Sequence, residues 1–316
     1  MKILVTGGAG FIGSVVADRL VEAGHKVNVV DNLYSGYKEN INKQATFHHV
    51  DITNFSALKG VFELEKPEFV IHSAAQVQPV YSVSHPVEDA TINIIGSINI
   101  LECCRDFGIK KIVNICTGGA LYGNPVYLPA DEEHPIHPIS PYGISKRAVE
   151  YYLYAYHQNF GLDYVSLRFS NVYGVHDDLK SKRVIPMFIY KFLKGESPII
   201  TGDGTQGRDF LYIDDVADAI IKALHTTPKD KCLNIGTEKV VSINDLFDQI
   251  RNILGLKIEP TYIPERIGEV QNIYLKAQRA REQLDWAPKY DMQKGLQKTI
   301  QWFKEKYERE GLPDSI

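Results

Sequence analysis

A tyrosine and a lysine that stand four residues apart, Tyr142 and Lys146, have the types and spacing of a proton-transfer pair. They lie in the stretch PISPYGISKRAVEYY, where a proline-rich loop turns into an amphipathic helical pattern. Residues i and i+4 share one face of a helix, so the lysine can approach the phenol oxygen. A positive charge nearby favours the phenolate, whose ordinary pKa is about 10. The pair is therefore a candidate general base; the alternative is that Tyr142 simply packs within a tyrosine-rich helix.

The segment LVTGGAGFIG has the spacing of a dinucleotide-binding loop. Gly7, Gly10 and Gly13 fit G-x-x-G-x-x-G between a predicted first strand and a predicted first helix. Such glycines permit a tight turn and a close approach of pyrophosphate to the backbone, and the helix N-terminus attracts the anion. Asp31 ends the next predicted strand, where a carboxylate can bind the adenosine ribose and repel a 2′-phosphate. The sequence therefore predicts NAD rather than NADP.

Thr117, in NICTGGALYG, is the third candidate for chemistry. It lies at the C-terminal end of a predicted parallel strand, where doubly wound folds place their active sites. Its hydroxyl can hydrogen-bond the same substrate oxygen as Tyr142. Beside an oxidised nicotinamide, Tyr142 could take a proton from an alcohol while hydride leaves its carbon. These three side chains therefore predict oxidation of an alcohol by NAD.

Strand and helix patterns alternate around these residues. Short runs rich in β-branched residues indicate strands at residues 2–6, 26–30, 46–50, 68–72, 110–116 and 164–169. Helix-period segments separate most of them, and the one at 85–108 is predicted to bury a face with Val87, Ile94, Ile98 and Leu101. This alternation predicts an α/β fold with a doubly wound parallel (Rossmann) sheet and right-handed crossovers.

The pattern becomes less regular after about residue 170. We expect residues 1–170 to form the NAD-binding domain, with a strand–helix–strand return to it at about 209–236. Residues 171–208 and 237–316 are expected to form a smaller, mixed α/β domain for the substrate. Two polar stretches, VHDDL and EEHPIH, are predicted to be solvated loops rather than metal sites, because neither offers a convincing ligand set.

The composition excludes several classes of function. The chain has 316 residues, 44% hydrophobic and 23% charged, as in an ordinary soluble globular protein. A net charge of -4 provides no positive field for nucleic acid or an anionic membrane, and no long apolar run predicts a membrane span. The four cysteines have neither zinc nor disulfide spacing. We expect a cytoplasmic protein without metal, membrane or nucleic-acid partners.

The chain resembles the NAD-dependent epimerase/dehydratase family of extended short-chain dehydrogenases/reductases, and within it most of all the UDP-glucose 4-epimerase group. The matching segments occur in family order over residues 1 to about 290: TGGAGFIG, DNLYSG, HVDITN, HSAAQ, NIIGS, CTGGALYG, SPYGISK, LRFSNVYG, GDGTQGRDFLYIDDVA, LNIGT and RIGEVQ. The resemblance implies a UDP-sugar as substrate. It also implies a homodimer, formed through the helices around residues 86–107 and 141–157.

The resemblance assigns Thr117, Tyr142 and Lys146 to a catalytic triad. Besides Tyr142 and Lys146, the positions that hold NAD in the family are here Gly7, Gly10, Phe11, Ile12, Asp31, Asn32, Ser35, Asp51, Ile52, Ala74 and Asn93. Besides Thr117, the positions that hold the nucleotide sugar are Asn171, Arg208, Arg266, Glu269 and Ile273. Ile273 occupies the position that gates sugar size in the family, and its intermediate bulk leaves the choice among glucose, N-acetylglucosamine and glucuronate series open. Lys276 and Arg279 depart from the family pattern.

The implied reaction interconverts UDP-glucose and UDP-galactose, and in some members their N-acetylated forms, by transient oxidation at C4 and return of hydride to the opposite face. Gly118 and Gly119 follow the catalytic threonine, where dehydratases and decarboxylases of the superfamily carry acidic residues. This favours epimerisation. A nucleotide-sugar dehydratase or reductase on the same scaffold and a non-catalytic NAD-sensing protein remain alternatives, although the latter would be expected to lose Tyr142 or Lys146.

Overall fold

The computed structural model describes residues 1–265 and 270–313. The strands are β1 (Lys2–Thr6), β2 (Lys26–Asp31), β3 (Thr46–His49), β4 (Phe69–His72), β5 (Lys111–Thr117), β6 (Asp163–Phe169), β7 (Asn171–Tyr173), β8 (Ile199–Thr201), β9 (Gly207–Arg208), β10 (Phe210–Tyr212), β11 (Cys232–Ile235), β12 (Val241–Ser242), β13 (Thr261–Ile263) and β14 (Asn272–Ile273). The α-helices are α1 (Phe11–Glu22), α2 (Phe55–Glu65), α3 (Pro79–Ser84), α4 (Pro86–Ala90), α5 (Gly96–Asp106), α6 (Gly119–Tyr122), α7 (Pro141–Phe160), α8 (Val184–Leu193), α9 (Ile213–His225), α10 (Ile243–Leu254), α11 (Gln278–Leu284) and α12 (Met292–Glu310).

A seven-stranded parallel sheet with the order β11-β6-β5-β4-β1-β2-β3 forms the centre of the molecule. The chain runs outward from β1 in one direction and then returns to β4 on the other side, which makes the β1–β4 junction the topological switch point. Thr6 and His72 are paired there, at the carboxyl ends of the two strands. The doubly wound fold class is confirmed, and the six predicted strands occur within one residue of their expected ends.

Helices cover both faces of this sheet. On one face α1 and α9 pack together, and side chains such as Val16, Leu20 and Ile220 lie in the larger hydrophobic core. On the other face α2, α5 and α7 pack over a second core. Burial of both faces explains why the strands are continuous apolar runs. Of the helices in the described ranges, none is both long and apolar enough to cross a membrane.

Small sheets at the C-terminal end of the main sheet complete the fold. Strand β9 pairs with β12 in antiparallel and with β14 in parallel orientation, β10 pairs with β7, and β13 pairs with β8. Strand β11 joins the main sheet beside β6. The short strands β7, β9 and β14 carry Asn171, Arg208 and Ile273. Asn171 and Ile273 lie near Gly119, which follows the carboxyl end of β5.

The segment predicted as one helix over 85–108 contains a π-helical turn, Thr91–Ile95, between α4 and α5. A π turn inserts one extra residue, which rotates the following helix by about 100° relative to the preceding one. Leu101 is buried as predicted, but Val87 is 78% exposed. The predicted buried face is therefore wrong at Val87, because the chain changes its helical phase at the π turn.

Two loops predicted to be solvated are partly buried. Asp177 of VHDDL is buried and forms an ion pair with Arg183, whose Nη1 lies 2.6 Å from its Oδ1. His134 of EEHPIH is also buried, and its Nε2 accepts a hydrogen bond of 2.9 Å from the amide of Val126. Both side chains thus serve as internal contacts of the loops. Within residues 1–265 and 270–313, no group of three His, Cys, Asp or Glu side chains could hold a metal ion.

Candidate active site

The first two turns of α7 carry Tyr142 and Lys146. Ser140 caps this helix, since its Oγ accepts a hydrogen bond of 3.2 Å from the amide of Gly143, and Pro141 stands at the first helical position. Both candidate catalytic side chains are largely withdrawn from solvent, Tyr142 being 9% and Lys146 6% exposed. The capped start of α7 therefore fixes the positions of two buried polar groups, the phenol and the ammonium.

Thr117 is the last residue of β5, and its hydroxyl interacts with that of Tyr142. Burial raises the pKa of Tyr142, and the thiol of Cys116 and the carboxylate of Asp89 act in the same direction. The charge of Arg183 and the hydrogen bond from Thr117 lower the pKa. Burial by itself thus opposes the phenolate, and a base at this position depends on positive charge brought close to it.

Arg183 is a component of the site that the sequence did not reveal. It precedes α8, and its guanidinium lies 5.0 Å from the ring centroid of Phe11, in the first turn of α1. The buried carboxylate of Asp177 holds it at 2.6 Å. Arg183 thus lies against the start of α1, and its charge lowers the pKa of Tyr142. A polar loop in sequence gave no signal for such a contact.

The glycine loop between β1 and α1 leaves space for a dinucleotide. Gly7 has a positive φ of 67°, and a Cβ there would lie 2.7 Å from the amide nitrogen of Ala74. A Cβ at Gly13 would overlap the carbonyl oxygen of Gly7. Gly10 is the residue before α1, whose N-terminal amides point out of the helix. Only glycines let the backbone form this cradle, so the loop fits the pyrophosphate of NAD.

Asp31 ends β2 with a buried carboxylate beside this loop. It accepts hydrogen bonds of 3.0 Å from the amide of Ala9 and 2.7 Å from the amide of Leu33. Burial raises its pKa, and the two amides act against this shift. Because a carboxylate has about four acceptor sites, Asp31 retains capacity for ribose hydroxyls. The carboxylate fits NAD better than a 2′-phosphorylated cofactor.

The other predicted cofactor positions lie around the same crevice. Asn32 donates a 2.7 Å hydrogen bond from Nδ2 to Oδ2 of Asp51, and Ser35 is exposed nearby in the chain. Ile52 packs where a Cβ on Gly96 would stand. The positions along the rest of the crevice include the half-buried Phe11, Ile12 and Ala74, and the buried Asn93.

The predicted sugar-binding residues meet beside Thr117. A Cβ at Gly119 would lie 3.9 Å from Cγ2 of Ile273 and 4.0 Å from Oδ1 of the exposed Asn171, so these residues share one space. Ile273 is paired with Arg208 across β14 and β9. Nη1 of Arg208 donates to the carbonyl oxygens of Gly207 and Gln271, at 2.9 and 3.0 Å. The predicted contacts Arg266 and Glu269 lie outside the described residues.

The two departures from the family pattern serve the loop before α7. The amide of Lys276 donates a 2.8 Å hydrogen bond to the carbonyl oxygen of Ala130. Arg279 forms an ion pair of 2.5 Å with Glu133. Neither residue is among the hydrogen-bond partners of Tyr142 or Thr117 in the described part of the chain. Both act on packing between segments 130–133 and 276–279.

The glycine cradle, the ribose carboxylate and the buried tyrosine–lysine pair all lie in the part of the chain that matches a known protein family. Residues 3–236 match the model of the NAD-dependent epimerase/dehydratase family. The chain belongs to that family. The match covers well over half of the chain and confirms the resemblance. NAD is accordingly the cofactor, and the protein is an NAD-dependent epimerase of this family.

Individual members of the family are similar to this chain over nearly its whole length. A relative from Methanocaldococcus jannaschii is 48% identical, over 96% of this chain and 98% of its own. The structure of UDP-glucose 4-epimerase with UDP-glucose from Thermotoga maritima is 42% identical, has a TM-score of 0.95, and matches 97% of this chain and 99% of its own. UDP-glucose 4-epimerase from Thermus thermophilus, in complex with NAD, is 36% identical with a TM-score of 0.91, over 96% and 99% of the two chains.

Proposed function

We propose that this protein is a nucleotide-sugar 4-epimerase that interconverts UDP-glucose and UDP-galactose, with the N-acetylated pair as further substrates. Residues 1–170 and 209–236 would hold NAD, and residues 171–208 and 237–316 the nucleotide sugar. The observation that carries the proposal is the buried Tyr142, which interacts with Thr117 and lies on α7. Helix α7 packs on α6, whose Gly119 borders the space shared with Asn171 and Ile273. A sugar hydroxyl in that space would reach the phenol and the threonine together.

Tyr142 acts as the base in this proposal. It takes the proton of the sugar 4-hydroxyl, while Thr117 hydrogen-bonds the same oxygen and keeps it in line. When bound, NAD would accept the hydride from C4 of the sugar and would add the positive charge of its nicotinamide ring. The charge of Arg183 offsets part of the effect of burial on the pKa of Tyr142. Lys146, four residues later on the same helix face, would hold the cofactor ribose beside the phenol. The same proton returns to the oxygen after hydride has come back to the other face.

The surroundings of the sugar suit a molecule that must turn between the two hydride transfers. Gly118 is required by packing, because a Cβ there would overlap the side chain of Leu275. At Gly119 a Cβ would meet only ordinary contacts, so the glycine leaves room and offers no acid or base toward C5 or C6. The diphosphate remains bound by arginine, in charge-assisted contacts, while the sugar moves. This supports epimerisation over dehydration.

Proton NMR on UDP-galactose, UDP-N-acetylgalactosamine and UDP-galacturonate, each with purified protein and no added cofactor, tests the proposal. We expect the gluco epimer from UDP-galactose, with NAD retained and no net redox change. Relative rates on the other two sugars would show what Ile273 permits, and Ile273→Ala should favour the N-acetylated one. A stable 4-keto product would identify a dehydratase, and absence of any product would contradict an epimerase.

We further propose that the protein forms a homodimer through the helices of residues 79–106 and α7. These helices pack on one another and expose a depression lined by Pro86, Val87, Ala90, Thr91, Ile94 and Ile95. An exposed apolar surface of this kind is typical of an interface. Light scattering should give the mass of a dimer for the wild type and of a monomer for Val87→Glu. The control Leu64→Glu changes an exposed leucine of α2 and should leave the dimer intact.

A further inference from the structure

Asp89 of α4 is a buried carboxylate that the proposed reaction does not use. It is 0% exposed. Its Oδ2 accepts a 2.7 Å hydrogen bond from Oγ of Ser145, the neighbour of Lys146 on α7. Its Oδ1 accepts hydrogen bonds of 2.9 Å from Nε2 of Gln76 and 3.0 Å from Nδ2 of Asn93. The carboxylate therefore joins the catalytic helix to the loop after β4 and to the π turn.

These contacts continue to the end of β1, where the glycine loop starts. Oγ of Ser97 donates a 2.5 Å hydrogen bond to the carbonyl oxygen of Asn93. The ring of His72 lies between Ser97 and Thr6, with Nε2 and Nδ1 each 2.8 Å from a hydroxyl oxygen. Burial lowers the pKa of His72 to about 3, so the ring is neutral. One buried polar chain thus connects the cofactor loop with Asp89.

Among the described residues, no cationic side chain forms a hydrogen bond with the carboxylate of Asp89. Its three partners, Ser145, Gln76 and Asn93, are all neutral. A buried charge is costly unless an opposite charge lies near it. Burial raises the pKa of Asp89, and the hydrogen bonds from its three partners and the charge of Lys146 act against this shift. Lys146 is itself buried.

The other charged and titratable groups around Lys146 do not take this role. Glu150, one turn later on α7, is held by Arg168 and Arg147, each at 2.8 Å. Burial raises the pKa of the Cys116 thiol on β5 far above neutrality. His72, from β4, is neutral. Arg183, which acts on Tyr142, is positively charged like Lys146 and so cannot balance the charge of the lysine. Cys116, Glu150 and Asp89 are the groups that raise the pKa of Lys146. Of these three, Asp89 is the acid that has no arginine partner in the described part of the chain.

We propose that Asp89 is a positioning residue for the Tyr142–Lys146 pair: it anchors the start of α7 to the cofactor loop and holds a negative charge beside the lysine. The role rests on the proposed function, because it matters only if the pair performs proton transfer. It also explains the π turn, which brings Asn93 and Asp89 onto Gln76 at the same time.

Asp89→Asn and Ser145→Ala separate the two parts of this role. The charge of Asp89 raises the pKa of both Tyr142 and Lys146. Asp89→Asn retains the shape of the side chain but removes this charge, so both pKa values should fall. Both limbs of the bell-shaped pH dependence of kcat should therefore move to lower pH, by about one unit. Ser145→Ala retains the charge, so the limbs should stay while kcat falls about tenfold at unchanged KM. Ser145→Thr keeps a hydroxyl and should restore kcat.

Glu88→Gln is the matched control, because it neutralises the adjacent carboxylate of α4, which instead bonds Tyr81. Its pH profile should equal that of the wild type. An unshifted pH profile in Asp89→Asn would contradict the proposed effect of the Asp89 charge. An unchanged kcat in Ser145→Ala would contradict the proposed anchoring of α7 by the Asp89–Ser145 hydrogen bond. If Asp89→Asn fails to fold, the Ser145 variants decide by the kcat and KM criterion.

A second readout does not require turnover. Ultraviolet titration of the tyrosinate, taken as the difference between each protein and its Tyr142→Phe counterpart, reports the phenol directly. Its midpoint should fall in Asp89→Asn and remain in Glu88→Gln; equal midpoints in the two would refute the proposal. If the wild type epimerises none of the sugars tested, the proposed function fails, yet this titration still decides the role of Asp89.

Discussion

The proposed cofactor half and the proposed sugar half of the site are built in different ways. In the cofactor half, Gly7, Asp31 and Ala74 lie at the carboxyl ends of adjacent parallel strands or in the turns that follow them. Asn93 lies in the π turn and is hydrogen-bonded to Gln76 in the loop after β4. The sheet register fixes the spacing of the cofactor half. Buried hydrogen bonds, such as those from Ala9 and Leu33 to Asp31, already hold its polar groups. It is ordered by the fold before any ligand is bound.

The sugar half, with Gly119, Asn171, Arg208 and Ile273, is assembled from four separate segments. Two of these residues stand on strands of only two residues, and Asn171 is exposed. Short strands contribute few hydrogen bonds, so we expect the sugar half to open more readily than the cofactor half. A rigid cofactor with a movable sugar is the combination that returning hydride to the opposite face requires. Changes in the two halves should therefore affect different measurements.

Tyr142→Phe should have the largest effect, because it removes the base at the junction of the two halves. We expect kcat to fall by about 10³-fold, a loss typical of general-base removal. The cofactor content of the purified protein should not change, since the phenol ring still fills its place. Absorbance of released NAD and NMR turnover measure the two quantities. Tyr151→Phe, an exposed tyrosine of the same helix, is the control, and near-wild-type activity in Tyr142→Phe would exclude it as the base.

Arg208→Gln tests the sugar half alone. Loss of a charge-assisted contact to a diphosphate costs about 2 kcal/mol, so KM for the UDP-sugar should rise about 10- to 100-fold. Bound NAD should remain at the wild-type level, because Arg208 belongs to the small sheet of β9. Arg309→Gln, at the exposed end of α12, serves as the control. Loss of NAD in Arg208→Gln would show that the two halves are not separable.

Asp31→Asn is the corresponding change in the cofactor half. The amide can accept from only one of the backbone amides of Ala9 and Leu33, and its own N–H2 faces the other. We expect NAD to bind about tenfold more weakly, and discrimination against NADP to decrease, at unchanged KM for the sugar. Equilibrium dialysis gives both affinities. Asp203→Asn, an exposed carboxylate of the other half, should alter neither, and a selective rise in sugar KM for Asp31→Asn would contradict the assignment.

The sequence signals from which the fold class and the cofactor were predicted are local. Strand periodicity, the glycine spacing and an acidic residue at a strand end all lie within about 30 residues of one another. The i, i+4 spacing of Tyr142 and Lys146 is also local. The fold class and the cofactor follow from such patterns, since a parallel sheet brings the ends of its strands together.

Contacts between distant segments could not be predicted in this way. Asp89 meets Ser145 across 56 positions of sequence, and Arg183 reaches Phe11 from a loop of another region. The burial of Asp177 follows from its ion pair with Arg183, which a polar sequence does not indicate. The burial of Val87 was predicted wrongly from the helical period, because nothing in the apolar pattern indicates a π turn. Such features depend on packing that composition and spacing leave undetermined.

Two neighbouring glycines provide the finest test of where the halves meet. Neither glycine has a positive φ, so an alanine could adopt the backbone conformation of each. A Cβ on Gly118 would overlap the side chain of Leu275, whereas one on Gly119 would be 3.9 Å from Ile273. Gly118→Ala should therefore lower the free energy of unfolding by about 1 kcal/mol, after the gain from reduced chain entropy. Gly119→Ala should leave it within about 0.5 kcal/mol. Urea denaturation measures both. Since the methyl of Gly119→Ala would enter the space of the sugar, that variant should alter sugar preference without loss of stability, and equal destabilisation by the two would mean that Gly119 also belongs to the packed core.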